Sequence, residues 1–239
     1  MTNYDIPTFE ELDRDGAIEE AAAKAGVNRS QFLRRSAFVG GGLLIGGLPA
    51  AFSLAQGTSQ GDIDILNYAL TLEYLEAAFY KEANDGGALS GKLGRFAKVV
   101  EAHEQAHVDA LKKALGSKAV KSPNFDFKGT TQDAGTFAKT SMVLEDTGVK
   151  AYQGAAGNIK STAILKAAIS IHPVEARHAS WIASLLLSMG GSTLPAPEAF
   201  NPAADMATVL AAVKGTGFIT TESGSSSASP TTGTPSVAG

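Results

Sequence analysis

The chain has 239 residues, a formal net charge of -4, 18% charged and 44% hydrophobic residues, and no cysteine, which suits one domain with a substantial core. The missing sulfur excludes a disulfide scaffold, a thiolate zinc site, a cysteine nucleophile and a covalent c-type haem. An acidic balance without long basic runs argues against nucleic acid as a partner, because phosphate contacts need clustered Lys and Arg.

The chain begins with a segment unlike the rest. Residues 1–35 are polar and end on the pair Arg34-Arg35, after which residues 36–55 carry no charge. The apolar run 38–49 is rich in glycine, and Ser53 and Ala55 offer small residues at -3 and -1 of a cleavage site. With Phe32-Leu33 beside the arginines, this segment resembles a twin-arginine export signal, which implies an exported protein (periplasm, cell envelope or extracellular) whose mature form starts near Gln56. An uncleaved leader of about 20 uncharged residues would also suffice as a membrane anchor, the one membrane contact expected. Its glycines are not a phosphate loop, since no strand-like run precedes them and no Gly-Lys-Ser/Thr follows.

From residue 63 onward the apolar period is helical. The spacing predicts helices over 63–83, 92–115, 138–156 and 161–189, the last interrupted at His172-Pro173. Asn84-Asp85-Gly86-Gly87, Gly116, Gly157-Asn158 and Gly190-Gly191 mark their ends. Residues 117–134 are non-periodic and too long for a hairpin, and 206–213 fits a short docking helix. Helix, short turn, helix, long crossing, helix, short turn, helix is an all-α four-helix bundle with one long crossover between its second and third helices. Residues 221–239 are Ser, Thr, Gly, Pro and Ala with almost nothing to bury, and read as a disordered tail. The expected organisation is a leader at 1–55, a bundle domain at 56–220 and a tail at 221–239.

The chemistry concentrates in two copies of one pattern. Glu104-Gln105-Ala106-His107 and Glu175-Ala176-Arg177-His178 each put a carboxylate and an imidazole three residues apart, on one helical face. The other two helices offer Glu73 and Glu145, each in apolar surroundings. Glu73 lies about 11 residues before Asn84 and Glu104 about 13 after Gly91; Glu145 lies about 12 before Gly157 and Glu175 about 15 after Lys160. At about 1.5 Å per residue these depths agree within roughly one helical turn. A Glu from each of two helices and a Glu-x-x-His from each of the other two is the ligand set of a di-iron or di-manganese site.

The order Leu72-Glu73...Tyr80, Glu104-x-x-His107, Leu144-Glu145, Glu175-x-x-His178 resembles the ferritin-like superfamily over about residues 62–190. Residues 67–80 look most like bacterial ferritin-like domain proteins related to plant desiccation-related proteins. The resemblance implies that Glu73, Glu104, His107, Glu145, Glu175 and His178 ligate two Fe or Mn ions per chain, with Glu104 and Glu175 as bridges. It also implies a catalytic place near the metals for Tyr80, and O2 or peroxide as co-substrate in ferrous iron oxidation or stress protection. A non-redox structural or desiccation-type protective bundle is the alternative, and an oligomer of such bundles is compatible with either.

Around that set the sequence leaves bland readings as well. Tyr80 and Tyr152 each stand seven residues beyond a candidate ligand, so their hydroxyls either support Glu73 and Glu145 or belong to packed aromatics. Glu76 and Glu101 are expected as partly solvated flank residues, the alternative being extra ligands or an ion entry path, and His103 as a polar neighbour, the alternative being a place near the metals. His172 and Pro173 either open the last helix toward the site or bend it around the core.

Overall fold

A computed structural model describes residues 58–220; the expected leader and tail lie outside the described residues. Four long helices, α1 (Gln60–Asp85), α2 (Gly91–Leu115), α3 (Ala134–Ala156) and α4 (Thr162–Ser188), are followed by the shorter α5 (Met206–Thr216). None of the described helices is long and apolar enough to cross a membrane. Side-chain caps start most of them. Ser59 accepts from the Asp62 amide, Asp133 from those of Gly135 and Thr136, Ser161 from that of Ile164 and Asp205 from that of Thr208.

Helix α1 packs along α2 and α3 along α4, with α1 also meeting α3 and α2 meeting α4. The long α2–α3 crossing runs the length of α1. It is held by Asn67 near the start of α1, which bonds Lys118 and Val120, and by Glu82 near its end, which accepts from the Thr131 hydroxyl at 2.6 Å. Buried Asp62 ties the α3–α4 turn to the start of α1 by accepting from the Lys160 and Ser161 amides at 2.8 and 3.1 Å.

The interior is layered. One end is aromatic: Phe79 stacks on Phe137 with centroids 5.2 Å apart, and Phe96 meets Tyr80 edge-on at 5.8 Å. The other end is aliphatic, with Ile65, Leu66, Leu111 and Ile171 buried. Between them lies a layer of buried glutamates.

Four local expectations need correction. Helix α4 runs unbroken through Pro173 rather than being interrupted there. Its lost amide leaves the Ile169 carbonyl without a helical donor, and Ile169 is 56% exposed, on a stretch that water can reach. Helix α3 begins four residues before the predicted 138, because Asp133 caps a first turn whose Gly135 and Thr136 carry no apolar period. The crossing also contributes β1 (Asn124–Phe125), antiparallel to β2 (Ile219–Thr220), a two-residue ribbon too short to leave a period-2 signal. Finally, α5 extends over 206–216, beyond the docking helix expected at 206–213, and buries Val209 and Val213 in the main core. The strap before α5 crosses α3 at Gly154, where any Cβ would collide with the Ala204 carbonyl oxygen.

Candidate metal centre

Glu73 on α1, Glu104 on α2, Glu145 on α3 and Glu175 on α4 are all fully buried at mid-bundle. Together with His107 and His178 they fall into two groups of potential ligands. The first is Glu73, Glu104, His107 and Glu175; the second is Glu104, Glu145, Glu175 and His178. The six residues picked out by spacing and resemblance are the six that these groups contain.

The distances show how the groups are joined. His107 Nδ1 stands 3.1 Å from Glu73 Oε2, 3.0 Å from Glu104 Oε2 and 3.1 Å from Glu175 Oε1. His178 Nδ1 stands 3.0 Å from Glu104 Oε1, 3.2 Å from Glu145 Oε2 and 3.9 Å from Glu175 Oε2. Glu104 and Glu175 thus give one oxygen to each imidazole, whereas Glu73 and Glu145 serve one each. A single N–H cannot satisfy three carboxylate oxygens. Two ligands at right angles, each about 2.1 Å from one ion, stand roughly 3 Å apart, which is the crowding found here. Glu104 Oε1 and both oxygens of Glu175 are buried without a hydrogen-bond partner. Polar atoms so placed fit a cation at each group.

Electrostatics point the same way. Burial pushes the Glu73 carboxyl up to about 7. Burial also raises Glu145, and it raises Glu175 strongly, with the neighbouring Glu104 charge adding to the latter. Glu104 goes the other way: burial is outweighed by the imidazoles of His107 and His178 beside it, which hold it well below the usual range. His178 reaches about 10, because its contacts to Glu104 and Glu145 overcome burial, and His107 is raised for the same reason by Glu73 and its neighbours. Protons therefore gather where compensating positive charge is needed.

Residues 61–188, from one residue inside α1 to the last residue of α4, match the ferritin-like domain family. The chain belongs to that family. No curated protein is significantly similar to it in sequence.

Beyond its ligand candidates, this ferritin-like domain departs from the sequence reading in four ways. The tyrosines do reach the carboxylates, but crosswise: Tyr80 of α1 donates to Glu145 of α3, and Tyr152 of α3 donates to Glu73 of α1. Glu76 is not a flank residue. It is 3% exposed, and burial together with the charge on Glu175 pushes its carboxyl far up. Glu101, in contrast, is half-buried as expected and accepts from the Asn84 side-chain amide at 2.7 Å. His103 is more than a polar neighbour: its Nδ1 lies 2.8 Å from His178 Nε2, and the rings stack with centroids 5.1 Å apart. The fourth concerns Gly148 of α3, which nothing in the sequence marked; a Cβ there would lie 3.3 Å from Glu175 Oε2. His172 belongs to neither ligand group.

Proposed function

We propose that this ferritin-like domain holds two Fe or Mn ions per chain through Glu73, Glu104, His107, Glu145, Glu175 and His178. In this reading it oxidises ferrous iron or removes peroxide as an exported protein. The observation that carries the reading is the sharing of Glu104 and Glu175 between two Glu/His groups, since two groups with common carboxylates suit a pair of ions acting together. Carboxylate oxygens with two imidazoles suit Fe or Mn. Ions of this kind supply one-electron steps between the 2+ and 3+ states toward O2 or peroxide.

The chain's own part is to bind, orient and keep dry. Glu104 and Glu175 spread negative charge over both groups, while Glu73 and Glu145 close one end each. The Tyr80 and Tyr152 hydroxyls fix Glu145 and Glu73 from behind, so Tyr80 acts through Glu145 as a positioning residue. His103 meets His178 Nε2 and leaves Nδ1 for the site. The aromatic and aliphatic end layers exclude bulk water.

The test is metal analysis of the full-length protein purified without added metal, together with ferrous-oxidation and peroxide assays on the same sample. About two Fe or Mn per chain with turnover is the expected result. No bound metal and no turnover after loading overturns the reading. Export is tested separately: Arg34→Lys with Arg35→Lys should keep the protein in the cytoplasm, and exported protein still beginning at Met1 would exclude cleavage.

A further inference from the structure

Glu76 is a buried acid that neither ligand group uses. Among the described residues it makes no hydrogen bond and no ion pair, although it is only 3% exposed. An acid in such a place is kept from ionising by its burial, and a nearby cation would let it act as a carboxylate. On its inner side Glu76 approaches Glu175 beside Gly148 of α3. A Cβ on Gly148 would lie 3.4 Å from Glu76 Oε1 and 3.3 Å from Glu175 Oε2, so both carboxylates abut the one spot on α3 that carries no side chain. Both Glu175 oxygens are buried and lack hydrogen-bond partners. On its outer side Glu76 lines a pocket between α1, α3 and α5, whose walls include Leu72, Val143, Leu144 and Val213.

We propose that this pocket is the route by which divalent cations reach the metal centre, with Glu76 receiving the ion and passing it to Glu175 beside Gly148. The proposal rests on the metal-binding reading above. Apolar walls of low dielectric focus the field of the carboxylates beneath them, which draws a cation inward and speeds its arrival. A carboxylate oxygen partway in replaces part of the hydration shell that such an ion must shed. Glu76 stands one helical turn beyond Glu73 on α1, which suits a transfer post better than a resident ligand, since neither group of mutually close ligand atoms includes it.

The test follows uptake of Co2+, used alone as the probe, by the metal-free full-length protein in a stopped-flow spectrometer, with bound Co2+ counted at equilibrium. Glu76→Gln should slow uptake by about tenfold or more, the scale on which a focused charge changes arrival rates, and still bind as many ions as wild type at the end. Gly148→Ala keeps every charge but crowds both carboxylates, and should also slow uptake. Glu101→Gln, on α2 and outside the pocket, should load at the wild-type rate. Wild-type rates in Glu76→Gln or in Gly148→Ala overturn the route. Fewer bound ions in Glu76→Gln at equilibrium would make Glu76 a resident ligand and overturn the transfer role. If wild type itself binds no Co2+, the metal-binding reading falls and the route falls with it.

Discussion

The two halves of the candidate metal centre have the same parts but different surroundings. In one, Glu73 and His107 are backed by Tyr152; in the other, Glu145 and His178 are backed by Tyr80. The His107 side chain is 11% exposed, whereas that of His178 is 3% exposed and has His103 behind it. Tyr80 also shares its hydroxyl with Ser141, so the His178 half is the more tightly braced. Chemically equal ligands can thus hold ions unequally, because outer contacts decide how readily each ligand swings away. An ion in the His107 half should leave first.

The largest expected effect erases the comparison altogether. Glu104→Ala or Glu175→Ala removes an oxygen from each group, so metal analysis should find both halves depleted; depletion of one half alone would mean that the glutamate is a terminal ligand. Next comes pH. Folding raises Glu73 from 4.5 to about 7 and His178 from 6.5 to about 10. A raised folded pKa stabilises fully below the unfolded value and is lost as pH rises through the folded one. The melting temperature of metal-free protein should therefore fall as pH rises from about 4.5 to about 10, while metal-loaded protein stays nearly level because the ions replace those protons. A metal-free protein whose stability rises across that window would contradict the buried-charge account.

Smaller effects separate the halves. His107→Ala and His178→Ala should each weaken mainly their own group, and in wild type a weak chelator should strip one ion per chain faster than the other; equal stripping rates would mean the difference in bracing does not matter. Tyr152→Phe and Tyr80→Phe each deprive a buried carboxylate of a donor, at a cost of about 1–3 kcal/mol. Calorimetric titration should place the loss of affinity in the His107 half for the first and in the His178 half for the second. His103→Phe should give the least, roughly a tenfold loss of affinity confined to the His178 half. A loss spread over both halves would mean that His103 braces the layer as a whole.

How much of this was legible depended on the range of each interaction. The two Glu-x-x-His pairs could be read from the chain because a helix alone puts i and i+3 on one face. The common depth of the glutamates followed from constant helical rise and short turns. Pro173 was misleading because a helix end is usually expected near proline, yet tertiary packing carries α4 past it. The β1–β2 ribbon was invisible because two residues per strand carry no periodicity.

The residues around the ligands depended on rotation of one helix against another, which no local period encodes. Tyr80 lies two turns along from Glu73 on the same face of α1 but reaches Glu145 across the bundle. His103 reaches His178 on α4 only because α2 and α4 are neighbours. Glu76 passed for a flank residue because α5, arriving more than a hundred residues later, covers that side of the bundle. By itself, then, the sequence determined the helices, their pairing through short turns and the ligand types on each, since all of these follow from spacing along one helix. The sharing of Glu104 and Glu175 between the two groups, the crossed tyrosines, the burial of Glu76 and its approach to Glu175 beside Gly148 were decided only when four helices and α5 packed together, since each depends on contacts between segments far apart in the chain.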